Sequence, residues 1–274
     1  MSLSQVTLVS LEELVSEEHQ YRKFKELFNF NKIQAELTSV EAASNYKGYG
    51  VERLFKCLLL QFMEDLSDRE LERYLSDSNA AKWFCEFDLR EATPDHSVFS
   101  KLRKKIGTSK LSEIFSIFRE QLRSKGYMSE VFTFVDASHL ISKANLWEER
   151  DKARRKRYEK LNNEVLPKIA HDKQARLGCK GGNKFWYGYK KHVSVDMQSS
   201  LINKVAISQA KKKNNMKDKN FDLDKYYTRL RVPYERVFSQ DNKRVRYLGI
   251  AKNQFAAFMN AICFNLKRLC ILTN

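Results

Sequence analysis

The sequence has few cysteines and lacks any long hydrophobic run. Its five cysteines form no C-x-x-C pair and have no matching histidine spacing, which argues against a zinc site and a disulfide framework. No apolar run approaches the roughly 18 residues of a membrane span, and the amino terminus has no basic segment followed by an apolar stretch. We therefore expect a cytoplasmic protein with no membrane partner.

Acidic residues are scarce in the second half of the chain. Residues 1–135 carry 19 Lys and Arg against 21 Asp and Glu, whereas residues 136–274 carry 31 against 13. A charge excess that serves only solubility explains so one-sided a distribution poorly. The second half is expected to bind a polyanion, and nucleic acid is the natural candidate.

Hydrophobic spacing predicts helices in the first half. Apolar residues recur at helical spacing over 51–63, and Ser67 and Glu70 form a capping box that starts the next helix. Thr93-Pro94 predicts the start of a helix that ends at Gly107, and another helix follows. We interpret this part either as a helix-turn-helix-like module that recognises DNA ends or pairs protomers, or as a plain helical bundle.

The pattern changes to strands after residue 130. The apolar run 131–135 predicts a buried strand that stops at Asp136. Two further strands, 189–195 ending in Asp196 and 201–207, predict a hairpin. The fold class is therefore α/β (α+β), with a helical domain at 1–126 and a second domain at 127–274.

Basic residues cluster in the second domain. Seven of the eleven positions from Arg150 to Lys160 are Lys or Arg, which favours a DNA-binding arm over a solvated helix face. The segment 180–192 mixes Gly, aromatic and Lys residues, which suits base stacking and phosphate contact, or alternatively the start of a strand with core aromatics. The candidate DNA-binding residues are Arg150, Arg154, Arg155, Lys156, Arg157, Lys184, Trp186, Tyr189, Lys190, Lys191, Arg231, Arg236, Lys243, Arg244 and Arg246.

Two carboxylates have the positions that a metal site would use. Asp136 follows the predicted strand, and Glu235 lies in the first turn of a helix predicted to begin at Pro233. A glutamate at a helix amino terminus is favourable without a metal, but Arg231 and Arg236 make this surface basic. Carboxylates so placed could hold divalent cations that act on phosphodiesters.

Four blocks of the chain resemble a known family. They are LSDRELE at 66–72, TPDHSVFS at 93–100, GCKG leading to FWYGYK within 178–190, and PYERVFS followed by RYLGIAKNQ within 233–254. In this order they resemble the DDE transposases of bacterial insertion sequences, the insertion-sequence-five group. The resemblance extends from about residue 45 to residue 272.

This resemblance implies an RNase H-like catalytic domain that holds two Mg²⁺ ions with two Asp and one Glu. By position Asp136 is the first acid and Glu235 the last, and both are implied to be catalytic and metal-binding. The family cleaves and transfers DNA strands, so the implied partners are terminal inverted repeats and target DNA, bound by a homo-oligomer at the bacterial nucleoid. We interpret the region 143–185 as a basic insertion in this domain.

The middle acid of the family has no counterpart in this sequence. Only 27 residues separate Ile207 from Glu235, whereas a helix-strand passage to a parallel neighbour takes about 30 or more. We infer an internal deletion near residues 208–211 that removed the central strand-helix-strand portion. Four other aspartates could in principle replace the middle acid: Asp196, Asp218, Asp222 and Asp224. We expect none of them to do so, because Asp196 is typical of a hairpin turn, and Asp222 and Asp224 are typical of the start of a helix.

Three functions are compatible with these features. The first is a transposase by family whose catalysis is defective in this copy. The second is a non-catalytic remnant that binds DNA or dimerises and inhibits an intact transposase. The third is a basic nuclease of RNase H type or an RNA-binding protein, which charge and composition favour but the four blocks do not.

Overall fold

The computed structural model describes residues 9–42, 48–129, 133–142, 155–156, 162–180, 184–210, 237, 239 and 243–273, with backbone alone at 41, 42, 180 and 184. The chain forms two compact units: one runs to Lys125 and also contains the chain from Ile262, and the other runs from Gly126 to Ala261. Sequence analysis placed all of 127–274 in the second domain.

Contacts within the first unit explain why the end of the chain belongs there. The Cys263 thiol donates to the Leu59 carbonyl at 3.6 Å, and Lys267 Nζ donates to the Met63 carbonyl at 2.5 Å. The helices of the first unit before Lys125 are α1 (Leu11–Leu14), α2 (Gln20–Leu27), a 3₁₀ turn (Phe30–Ile33), α3 (Gln34–Ala42), α4 (Val51–Met63), α5 (Asp68–Asp77), α6 (Asn79–Cys85) and α7 (His96–Ser124). The predicted helical region is confirmed.

Helix α5 begins at the predicted capping box. Ser67 Oγ accepts a hydrogen bond from the Glu70 backbone N–H at 3.3 Å, and Glu70 Oε2 accepts one from the Ser67 N–H at 2.7 Å. These bonds satisfy backbone donors that have no partner inside the helix. Leu71 and Leu75 then point into the core, since both are fully buried.

Helix α7 begins two residues later than predicted. Asp95 is its N-cap, because the Asp95 carboxylate accepts a hydrogen bond from the Ser97 N–H at 2.7 Å. Thr93-Pro94 therefore precedes the helix. Gly107, with φ +63°, interrupts the helical backbone where the sequence predicts the first of two helices to end. A side chain is disfavoured at this φ, which is why glycine suits the break.

The second unit contains a four-stranded antiparallel sheet among the described residues. Its elements are β1 (Thr133–Ile141), α8 (Leu166–Ile169), β2 (Arg176–Lys180), β3 (Lys184–Asp196), β4 (Ile202–Gln209) and α9 (Ile250–Leu272), of which α9 continues into the first unit. Strand β3 is central, with β1 along one edge and β2 and β4 along the other.

Two strands are longer than the sequence predicts. Strand β1 does not stop at Asp136, because residues from Asp136 to Ile141 continue to pair with β3. Strand β3 starts at Lys184, because its first five residues pair with β2, a strand that the sequence analysis did not predict. Pairing partners distant in sequence, which hydrophobic periodicity does not reveal, extend both strands. The β3–β4 hairpin itself is confirmed.

The sheet has two different faces, which follow from the register. The buried face consists of the even-numbered residues of β1, the odd-numbered residues of β3 and, in β4, Ile202 and the odd-numbered residues from Val205 onward; Val193 and Val205 on it are 1% and 6% exposed. The open face consists of the odd-numbered residues of β1 and the even-numbered residues of β3 and of β4 from Lys204 onward. On that face Val135 is 65% exposed.

Helix α9 covers the outer edge of β4 and packs in the core. Gln254 Oε1 accepts a hydrogen bond from the Ile207 N–H at 2.7 Å, and its Nε2 donates to the Val205 carbonyl at 3.2 Å, so one side chain satisfies an edge that would otherwise be unpaired. The helix is long and apolar enough to cross a membrane by length and composition, but 56% of its apolar window is buried inside the protein. Buried core helices pass the same test.

Candidate functional site

Asp136 lies in the middle of β1, on the edge of the sheet. It is opposite Val193, so its side chain belongs to the buried face, yet it is half-exposed; no described strand pairs with the other side of β1 at this position. Its Oδ1 accepts a hydrogen bond from the Ala137 N–H at 2.7 Å. The other carboxylate oxygen has no hydrogen-bond partner among the described residues, and can therefore receive an incoming ligand.

The described residues bring no second carboxylate to Asp136. Glu235 lies outside them, as do Asp218, Asp222 and Asp224. Asp196 is fully buried and serves the hairpin: its Oδ2 accepts hydrogen bonds from the Ser199 N–H at 2.9 Å and hydroxyl at 2.7 Å. The interpretation of Asp196 as a turn residue agrees with these contacts.

The candidate DNA-binding residues fall into three groups. Arg150, Arg154, Arg157, Arg231 and Arg236 lie outside the described residues, and the side chain of Lys184 is also not described. The exposed residues are Arg155, Lys156, Lys243 and Arg244, and the half-exposed ones are Lys190 and Arg246. The third group, Trp186, Tyr189 and Lys191, is buried.

The third group is buried, although the sequence analysis predicted that its residues lie on a DNA-binding surface. Trp186, Tyr189 and Lys191 are 8%, 0% and 3% exposed. The indole N–H of Trp186 donates to the carbonyl of Tyr189 at 3.3 Å. Stacking on bases and contact with phosphates both need an accessible side chain, so in this structure none of the three is placed for the predicted role.

Tyr189 instead belongs to a buried polar cluster around Asp172. Asp172 is 2% exposed and accepts hydrogen bonds from the Tyr189 hydroxyl at 2.7 and 2.8 Å and from the Ser142 hydroxyl at 2.9 Å. The Tyr187 hydroxyl donates to the Asp172 carbonyl at 2.7 Å, and the Gly249 N–H lies 3.4 Å from its carboxylate. Burial, and then the hydrogen bond to Asp172, raises the pKa of Tyr189 well above its ordinary value.

The cluster joins three segments that are distant in sequence. Ser142 ends the β1 segment, Tyr189 lies in β3, and Gly249 precedes α9. Sequence reasoning missed Asp172, because a single carboxylate in a loop leaves no signal in hydrophobic periodicity. A buried carboxylate is stable only when hydrogen bonds replace its hydration, and here the hydroxyls of Tyr189 and Ser142 and two backbone N–H groups provide them. We interpret Asp172 as a structural anchor.

The basic segment after Glu235 lies beside the end of β1. The Ile141 N–H donates to the Lys243 carbonyl at 2.7 Å, and the Val245 N–H donates to the Ile141 carbonyl at 2.9 Å, which forms a parallel bridge between Ile141 and Arg244. Val245 is 5% exposed. Of the candidate DNA-binding residues, Arg244 is thus brought to the same edge as the strand that carries Asp136.

One group in the helical unit has the composition of a metal site. Ligand atoms of Glu72, Asp95 and His96 lie within 4.8 Å of one another. Glu72 Oε2 is 2.8 Å from His96 Nδ1 and accepts the His96 backbone N–H at 3.2 Å, while Asp95 caps α7. These contacts account for all three side chains without an ion, and two of the three are carboxylates at a partly exposed surface.

One protein-family model matches most of the helical part. Residues 9–105 match the family model described as Transposase domain (DUF772). The match supports a transposase family and a transposase function in general. Neither the curated proteins nor the solved structures provide a match.

The transposase domain covers α1 to α6 and the first part of α7. It contains two of the four blocks on which the resemblance rests, LSDRELE and TPDHSVFS, and also the group of Glu72, Asp95 and His96. The other two blocks and Asp136 lie beyond residue 105.

Proposed function

We propose that the chain is a DDE-type transposase of the insertion-sequence-five group that binds DNA but is defective in cutting it. The match of residues 9–105 to a transposase domain carries the proposal. The order of the four blocks and the basic second half of the chain support the finer assignment. Double-stranded DNA with terminal inverted repeats is the proposed partner, bound by a homo-oligomer in the bacterial cytoplasm.

The proposed catalytic residues are Asp136 and Glu235. Mg²⁺ held between them would activate the attacking oxygen and stabilise the leaving oxygen of a phosphodiester. Asp136 fits such a role in part, since it is half-exposed and one carboxylate oxygen has no partner among the described residues.

The defect follows from the ligands that Mg²⁺ needs. Mg²⁺ prefers a near-octahedral shell of oxygen ligands, and two ions share more carboxylates than two residues supply. No group of three or more His, Cys, Asp or Glu residues with ligand spacing in the described part of the chain includes Asp136. With the middle acid absent from the sequence, we expect weak metal binding and misplaced DNA, and therefore little or no cleavage.

The second candidate function is a non-catalytic regulator. Residues 9–105 match a transposase domain, while no described group of three or more potential metal ligands includes Asp136. A protein that retains end recognition or dimerisation without cleavage would occupy the ends of an element, or form inactive mixed oligomers with an intact transposase. It would then reduce transposition in proportion to its concentration.

A combined binding and cleavage assay tests both candidates. Labelled duplexes with the inverted repeats that flank the gene are incubated with the protein in Mg²⁺ or Mn²⁺, and both the bound fraction and the nicked products are measured. We expect retention of the terminal-repeat duplex over an unrelated duplex, without nicked product. The variant Asp136→Asn should bind the same duplex and give the same absence of product.

Two results would decide against parts of this proposal. Nicked product that disappears in Asp136→Asn would show that the copy is catalytically competent. Equal binding to terminal-repeat and unrelated duplexes would remove the support for an element-specific transposase. Adding the chain to an intact transposase of the same element, with cleavage as readout, separates the regulator from a passive remnant.

A further inference from the structure

The exposed part of the open face carries mostly small, polar and basic side chains, while Trp186 on the same side is buried. Its exposed or half-exposed positions are Thr133, Val135, Ala137, His139 and Ile141 of β1, Lys190 and His192 of β3, and Lys204, Ala206 and Ser208 of β4. The buried face carries mainly Val, Ile, Leu and Tyr side chains on the same strands, together with the buried Lys191 and the half-exposed Asp136. A face that normally packed against a helix would be apolar too, so its composition fits a face that meets water or an anion.

Contacts on the open face agree with this assignment of faces. The rings of His139 and Trp186 lie 5.4 Å apart between centroids, and His192 Nε2 is 2.8 Å from Ser208 Oγ. Both contacts join residues that the register places on the same side. Burial, and then the charge of Lys190, lowers the pKa of His192, so the lysines and not this histidine carry positive charge at neutral pH.

The bridge beside β1 adds an arginine to this face. Arg244 is in register with Ile141, an open-face position, and residues in register on neighbouring strands point to the same side. Its neighbour Val245 points the other way and is buried, as the alternation requires. Lys190, Lys204 and Arg244 therefore place three positive charges on one side of the sheet.

Acidic side chains of the described open face do not pair with Lys190 or Lys204. Asp196 is its one carboxylate there, and it is fully buried in the hairpin turn. Neither Lys190 nor Lys204 has an ion pair with any described acid, whereas in the helical unit Lys56 and Arg103 are paired with Glu86 at 2.7 Å and Asp68 at 2.5 Å. The surface is complementary to a polyanion.

We propose that the open face binds the phosphate backbone of double-stranded DNA, as a surface separate from the buried face to which Asp136 belongs. The inference rests on the proposed function for the identity of the nucleic acid. Small side chains at Thr133, Ala137 and Ala206 let a broad backbone approach, while the lysines contact phosphates. Such contacts read no bases, so binding here is independent of sequence.

The dependence of affinity on salt measures these contacts directly. Each phosphate neutralised by a lysine contributes about 0.9 to the slope of log K against log salt concentration. The double variant Lys190→Gln/Lys204→Gln should therefore lower the magnitude of that slope by about 1.8, measured by fluorescence anisotropy on a duplex of arbitrary sequence. Affinity at low salt should fall for every duplex tested by a similar factor.

A matched control variant removes two lysine charges that lie outside the open face. Lys168 in α8 and Lys252 in α9 are exposed, and neither forms an ion pair with any described acid. The variant Lys168→Gln/Lys252→Gln should keep the wild-type slope, because these lysines lie outside the open face and outside the transposase domain. Equal urea midpoints for the three proteins show that the variants are folded; if an open-face variant is unstable, the single variant Lys204→Gln, at an exposed position, replaces it.

The outcomes separate this proposal from the proposed function. No binding of any duplex by the wild type would overturn both. Binding with equal slopes in all proteins, or a slope reduced equally by the control, would overturn the open-face proposal alone. A change in sedimentation without a change in slope would mean that the face pairs two copies of the chain, and would also overturn it. A reduced slope without preference for terminal repeats would support the open face and weaken the transposase assignment.

Discussion

Replacing Tyr189 by Phe tests the anchor at Asp172. The change removes a fully buried hydroxyl that donates to both carboxylate oxygens of Asp172, at 2.7 and 2.8 Å. Hydrogen bonds to charged groups contribute about 1.5–3 kcal/mol, and a carboxylate left short of donors pays part of its desolvation cost. In the variant Asp172 still accepts the hydrogen bond from the Ser142 hydroxyl at 2.9 Å. We therefore expect the free energy of unfolding to fall by an amount near the middle of that range, about 2 kcal/mol.

Native-state hydrogen exchange of the β3 amides in low concentrations of urea measures this loss in the sheet unit itself. A loss of about 2 kcal/mol corresponds to about thirtyfold faster exchange through unfolding. Tyr127→Phe is the control, because Tyr127 is half-exposed, belongs to the same unit and has no described hydrogen-bond partner for its hydroxyl. Equal exchange rates in the two variants would refute the role assigned to the Asp172 cluster.

Three further predictions follow from burial and close contact. Burial raises the pKa of Tyr21 and of Tyr189 above the unfolded value of about 10, so the stability that these residues contribute is complete below about pH 10 and is lost as pH rises toward the folded pKa. The variant Tyr21→Phe should therefore show a smaller decrease of the urea midpoint above pH 10 than the wild type. An equal decrease in both proteins would contradict this prediction. Ellman's reagent should modify Cys270 first in the native protein and all five thiols after unfolding, since the other four are buried; rapid reaction of several thiols would contradict the packing. Gly188→Ala should lower the free energy of unfolding, measured by urea titration, by about 1–3 kcal/mol or more, because a Cβ at this position overlaps the carbonyl of Leu140. An unchanged free energy of unfolding would show that β1 and β3 are not so close.

Local patterns predicted those elements whose signal is contained in a few neighbouring residues. The capping box of Ser67 and Glu70 was recognisable because both partners lie within one helical turn. The β3–β4 hairpin was recognisable because the two strands alternate around a short turn at Asp196. The extension of β1 to Ile141 was not, since it depends on pairing with residues about 50 positions later in the chain.

The residues of the candidate site were likewise only partly predictable from the sequence. Asp136 and the basic character of the second half could be found in the sequence, and so could the absence of a middle acid. The roles of Trp186, Tyr189 and Lys191 could not, because a pattern of aromatic and basic residues looks the same whether it faces solvent or the core. Their burial depends on which face of the sheet is covered.

The sequence by itself determined the helical first part, the two strands of the hairpin, the uneven charge and the family resemblance, because each depends on residue types and short spacings. Tertiary structure decided which residues share a surface. It buried Tyr189 against Asp172, placed Arg244 beside Ile141, and put Asp136 and the exposed lysines on opposite faces of one sheet. The physical reason is that register, and not composition, determines on which side of a strand each side chain lies.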